Sequence, residues 1–163
     1  MKRPKQSSTL FLRGVVLLMG AVAIFLCFLI LPAIYNEWAT AFPEVAYMQY
    51  PFLIGLAATT IPFFIALYQT LKLLNYVDTN KAFSEASVKA LEKIKYCAIA
   101  FSILYAAVLP AFYFLRGQMD APGVMGIGII MTFAPMVIAV FAAVLQKLLQ
   151  SAIDIKKEND LTV

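Results

Sequence analysis

Few side chains in this chain can do chemistry. There is no histidine. The two cysteines, Cys27 and Cys97, form no CxxC pair and fall in different apolar runs. At a helical rise of about 1.5 Å per residue their depths differ by roughly 15 Å. A disulfide needs Cα atoms within about 7 Å, so both read as free thiols. Lack of a paired dithiol argues against a cycling thiol oxidoreductase. Lack of histidine argues against bis-histidine haem and most zinc sites. No Asp or Glu lies inside an apolar run, which counts against a proton- or cation-coupled carrier. The polar groups left at depth are Thr59, Thr60, Tyr68, Gln69, Ser102 and Thr132. Ser102 has no visible base to make it a nucleophile. No catalytic, cofactor-binding or metal-ligating residue is assigned, and a non-enzyme is expected.

The informative polar stretch lies between the two halves, over residues 75–94. Phe83-Ser84-Glu85 predicts a helix start. Ser84 is the cap, Phe83 staples onto Val88, and Glu85 suits the helix dipole and reaches Lys89 one turn on. Val88, Leu91 and Ile94 then line one face. The helix is expected to run into the next apolar segment as a rigid stalk. Its lysines have three readings: a topology signal, a contact with anionic lipid, or a docking surface for a cytosolic protein. For docking, the candidate contacts are Phe83, Glu85, Lys89, Glu92 and Lys93. The tail, 150–163, carries mixed charge and is expected to fray.

These features sit in a chain built for lipid. The 163 residues are 63% hydrophobic and 13% charged, against roughly half and a quarter in soluble domains. Four runs are long enough to cross a bilayer, at about 14–35, 52–74, 95–115 and 124–149. Ala39-Thr40-Ala41 resembles a signal-peptidase site. The preceding run far exceeds the ~7–15 residues of a signal core, so it is read as a true span. Residues 36–50 form a short loop whose Trp38, Phe42, Tyr47 and Tyr50 are expected at headgroup level. Gly117, Pro122 and Gly123 suit the second outer turn. The expected fold is therefore all-α: one membrane domain, a four-helix transmembrane bundle made of two hairpins.

Arg116 is the one Lys or Arg at the outer turns; all the others flank the N-terminus, residues 75–94 or the tail. The positive-inside rule places both termini and the stalk in the cytoplasm. The same placement explains the basic pI without nucleic-acid binding.

The halves share residues at two different offsets, the shorter outer turn of the second half absorbing the difference. Leu31-Pro32-Ala33-Ile34-Tyr35 recurs as Leu109-Pro110-Ala111-Phe112-Tyr113. Gly55, Thr59 and Pro62 match Gly128, Thr132 and Pro135. The pattern is compatible with a tandem repeat of two hairpins. Pro32, Pro62, Pro110 and Pro135 are candidate kinks. Pro62 and Pro135 free the carbonyls of Ala58 and Met131, where Thr59 and Thr132 could help satisfy the backbone.

Asn80-Lys81-Ala82-Phe83-Ser84, Ser87-Val88-Lys89-Ala90-Leu91, Ile94-Lys95-Tyr96 and the ending Glu158-Asn159-Asp160-Leu161-Thr162-Val163 resemble the YoaS-like family of bacterial membrane proteins (domain of unknown function 2975). The basic start with Ser8-Thr9-Leu10-Phe11-Leu12 fits it too. The resemblance implies a multi-pass protein of mostly Gram-positive bacteria. It supplies no catalytic residues. Members are often encoded beside a small helix-turn-helix regulator, which implies such a partner.

The functional expectation is a signalling module of the bacterial plasma membrane. Its partners are the lipid bilayer and a small cytosolic DNA-binding regulator held by the stalk; a homodimer is compatible. The alternative is a small transporter, or a self-protection factor against a membrane-active peptide or amphiphile.

Overall fold

A computed structural model describes residues 4–120 and 122–162. Lys2 and Arg3 of the basic start, Ala121 of the second outer turn and Val163 lie outside the described residues. The chain forms four α-helices: α1 (Pro4–Ala41), α2 (Gln49–Asp78), α3 (Glu85–Met119) and α4 (Gly123–Thr162). A 3-10 turn, Pro43–Met48, joins α1 to α2. All four are long and apolar enough to cross a membrane. The protein is an all-α membrane fold, and the described residues contain no strand. The two cysteines are free thiols.

The helices outrun the apolar segments that nucleate them. In lipid, a helix satisfies every backbone group within itself, so nothing stops it at the hydrocarbon edge. The expected first loop, 36–50, is helical to Ala41. The tail is helical as well: α4 continues to Thr162. Its 40 residues span about 60 Å at the helical rise, twice the ~30 Å of hydrocarbon. One end of α3 and α4 must therefore project beyond it. This end also holds Arg13, Asp78 and the α2–α3 turn, and is called the basic end below; the opposite end is the aromatic end.

Each helix packs chiefly on its neighbour in sequence: α1 on α2, α2 on α3, and most extensively α3 on α4. α1 is peripheral. Between Leu10 and Glu37 none of its residues is fully buried. The α2–α3 and α3–α4 seams close through small residues. A Cβ on Gly55 would run into the Val108 side chain. One on Gly128 would sit 3.1 Å from both Leu109 and Phe112.

The four candidate-kink prolines, Pro32, Pro62, Pro110 and Pro135, lie inside continuous helices. Pro62 and Pro135 are buried, whereas Pro32 and Pro110 are exposed. The threonine hydroxyls do not serve the carbonyls that proline frees. Thr59 donates to Leu56 O at 2.6 Å and Thr132 to Gly128 O at 2.9 Å. A threonine on a helix reaches carbonyls three or four residues back, so the carbonyl of the preceding residue is out of its reach.

Candidate functional site

The polar residues between α2 and α3 condense into one tight turn. α2 ends with Lys81 N–H donating to Tyr76 O at 2.7 Å and Asn80 N–H to Val77 O at 3.3 Å. Asn80 is left-handed, φ 59°, as this two-bond helix ending requires. The hydroxyls of Ser84 and Ser87 then both donate to the Lys81 carbonyl, at 2.6 and 3.1 Å. Ser84 Oγ accepts from Ser87 N–H at 3.4 Å and so caps α3. Ser87 is completely buried. Asn80, Lys81, Ser84 and Ser87 thus fix the angle at which α3 leaves α2.

α3 begins at Glu85 and runs without a break into the apolar segment. Its apolar stripe is turned inward. Val88 and Leu91 are buried, and Ile94 lines a cleft shared with α2 and α4. α4 answers with a buried Ile153. Glu85 accepts from Lys157 at 3.3 Å and from Gln150 at 3.5 Å. It bonds across to α4 rather than along its own helix to Lys89, because α4 projects as far as α3 and lies beside it. Phe83 is 59% exposed and so does not act as a buried staple on Val88. Lys89 and Lys93 are exposed and Glu92 is half-buried. The stalk presents Phe83, Lys89 and Lys93 outward and keeps its apolar face for the protein itself.

Arg13 and Asp78 join α1 to α2 at the same end. The ion pair is 2.8 Å long, with side chains 34% and 19% exposed. Arg13 also donates to Asn75 Oδ1 at 3.3 Å. Arg13 Nε and Asp78 Oδ1 are buried without a partner. In the sequence Arg13 carries only a topology signal. The missed cue is antiparallel pairing, which brings the start of one span level with the end of the next. Nearby cations lie along aromatic rings in the manner of snorkelling side chains: Lys72 over Tyr68 and Lys95 over Tyr96, at 5.1 and 4.8 Å. Lys95 also reaches Gln146 of α4 at 3.2 Å.

At the aromatic end, Trp38 is core rather than a headgroup anchor. It is 4% exposed and clusters with Val45, Phe52, Val108, Ala111 and Leu115. Its indole N–H donates to Val45 O at 3.0 Å, which lets the ring be buried without loss. Gln49, also buried, donates to Tyr35 O at 2.7 Å. Both bonds pin the 3-10 turn under α1. Phe42 is half-buried, and Tyr47 and Tyr50 are exposed.

Among the deep polar residues, Ser102 donates to Thr132 O at 2.7 Å and ties α3 to α4. Thr59 lies beside the Tyr105 hydroxyl. Thr59 and Tyr105 help line a cavity of about 260 Å³ bordered by all four helices. A second cleft, of about 280 Å³, holds both buried prolines, Pro62 and Pro135. Tyr68 is exposed and Gln69 buried.

No group of three His, Cys, Asp or Glu side chains able to hold a metal occurs among the described residues. The hydroxyls of Ser102, Thr59 and Thr132 are engaged with backbone carbonyls. The arrangement defines a polytopic helical membrane protein whose polar groups tie helices together, with an ordered helical extension at one end. The chain belongs to the family described as "Protein of unknown function (DUF2975)", whose model matches residues 33–163. It is 55% identical over 156 residues to the "Uncharacterized membrane protein YoaS" of Bacillus subtilis (strain 168), covering 96% of this chain and 98% of that one. No solved structure matches.

Proposed function

We propose that this chain is a non-enzymatic regulatory protein of the bacterial plasma membrane, with both termini in the cytoplasm and a small helix-turn-helix regulator as its partner. The observation that carries the reading is the paired extension of α3 and α4. The two helices run from the apolar segments to Glu85 and Lys157 without interruption. A shift between them in the bilayer is thereby transmitted to the projecting end. The orientation rests on the concentration of Lys and Arg there. The docking surface is the outer side of the pair, with Phe83, Lys89 and Lys93 exposed and Glu92 at its edge. Charge and one aromatic ring, rather than an apolar stripe, make the contact. The outer faces of α1 and α4 leave room for pairing of two copies.

The test is co-purification of the full chain with the regulator encoded beside it. The pair is expected to stay together, and Lys89→Glu with Lys93→Glu to separate it and alter transcription of the regulator's targets. A pair that never forms, or targets that ignore the double substitution, overturns the reading. A second reading, self-protection or transport of an amphiphile, draws on the intramembrane cavity beside α1. It predicts that deleting the gene sensitises cells to one membrane-active compound without a transcriptional change.

A further inference from the structure

The cavity beside α1 exists because the helix row is left open there. α1 packs on α2 and reaches α3 through Trp38 at the aromatic end; over Ala23–Leu31 a space remains between α1 and the α3–α4 pair. Ala23, Cys27 and Leu31 of α1 form one wall; Phe101, Tyr105 and Met131 form the other. The cavity does not end blindly. A surface groove of about 350 Å³, from Leu18 along α1, shares Ala23, Leu26 and Phe63 with it. Groove and cavity together follow α1 from Leu18 to Leu31, about 20 Å at the helical rise. One leaflet contributes half of the ~30 Å hydrocarbon thickness. Counted from residue 14, where the first apolar run begins, the channel lies about 6–26 Å into the hydrocarbon and so crosses its middle; beyond Leu31 a further groove of about 360 Å³ continues to Tyr35 and Leu53.

The chemistry of the lining selects the occupant. The surface is almost wholly carbon, and its few polar groups are engaged. Thr59 and Thr60 donate to the Leu56 and Ala57 carbonyls of their own helix, each at 2.6 Å. Tyr105 faces Thr59. A charged or strongly polar head would be left unpaired there, at high cost. Water would lack the two to four polar partners that hold it in a protein interior. An apolar cavity of about 150 Å³ already binds benzene, and this one is larger.

We propose that groove and cavity form a site for one hydrocarbon chain, an acyl chain entering sideways from the bilayer. The chain lies between α1 and α3–α4 and replaces the missing helix contact. This inference does not rest on the proposed regulator, since it is read on the purified chain alone.

The experiment places full-length protein in nanodiscs of phosphatidylethanolamine and phosphatidylglycerol. A trace of phosphatidylglycerol carries a diazirine in mid-chain. After irradiation, adducts are mapped by mass spectrometry. Adducts at Tyr105 and Phe63 are expected about tenfold above those at Phe28, which is 78% exposed on the outer surface of α1. Ala23→Phe fills the passage and is expected to remove the Tyr105 adducts while leaving those at Phe28. Cys27→Phe serves as a second filling variant should the first not fold. Tyr105 labelling no greater than Phe28 labelling overturns the proposal, and so does labelling that survives in a folded filling variant. The wild-type ratio alone decides if neither variant folds. Competition by free palmitate assigns the chain to a fatty acid, and lack of competition assigns it to a phospholipid; either result supports the site.

Discussion

Arg13 of α1 and Asp78 of α2 meet at 2.8 Å, although 65 positions separate them in the chain. The pair is neither a surface ion pair, worth about 0–1 kcal/mol, nor a fully buried one, whose disruption costs about 3–5 kcal/mol. It lies between, with one polar atom on each partner shut away from water. Arg13→Ala strands the less exposed Asp78, and is expected to destabilise the chain by about 1–3 kcal/mol. Asp78→Ala should cost less, because the Arg13 side chain is longer and can turn toward solvent. The double variant should lose less than the sum of the singles. Thermal melting in detergent, analysed as a double-mutant cycle, measures the coupling. A cycle that closes additively would show that the pair holds nothing together.

The α2–α3 seam depends on a missing methyl group. A Cβ at Gly55 collides with Val108, which is itself 7% exposed and has nowhere to go. Overpacking of this kind costs about 1–3 kcal/mol. Gly55→Ala is therefore expected to lower stability by that amount, and Val108→Ala in the same chain to restore most of it. Gly14→Ala, with nothing within 4 Å of the added carbon, is the control and should be neutral or mildly stabilising. Melting temperatures of the four proteins make the comparison.

What could be read from residue order follows what is local. The four crossings, the free thiols and the Ser84 cap depend on neighbours within a turn or two. Thr59, Pro62, Gly128, Thr132 and Pro135, noticed by aligning the halves, are all buried. Partner choice was not legible. In lipid the outer face of a helix is as apolar as its inner face, so periodicity does not announce which side packs. That is why Trp38, an interfacial anchor by composition, is core, and why Arg13 carries a topology signal in the sequence without showing its partner. Glu85 fell to the same difficulty: Lys89 was the near candidate by spacing, but Lys157 arrives from α4 because that helix outruns its apolar segment. The cavity beside α1 was invisible because it is made by a contact that does not occur.

The turn between α2 and α3 should behave as a structural joint. Ser84 performs two tasks, accepting from Ser87 N–H and donating to Lys81 O. Its replacement by Ala removes both and should cost about 1 kcal/mol, the usual value for losing a helix cap. Asn80 is at a left-handed φ of 59°, where glycine is comfortable and a β-branched residue is not. Asn80→Gly should therefore be nearly neutral, and Asn80→Val should cost more than Ser84→Ala. The readout is amide hydrogen exchange over residues 80–90, supported by melting temperature. Loss of the cap is expected to speed exchange at Ser87 and Val88, whose amides bond back to the Ser84 carbonyl. The amides around Ser102, held in the α3–α4 seam, should be unchanged. Equal acceleration at both places would mean that the joint and the bundle unfold together, and that the turn has no stability of its own to lose.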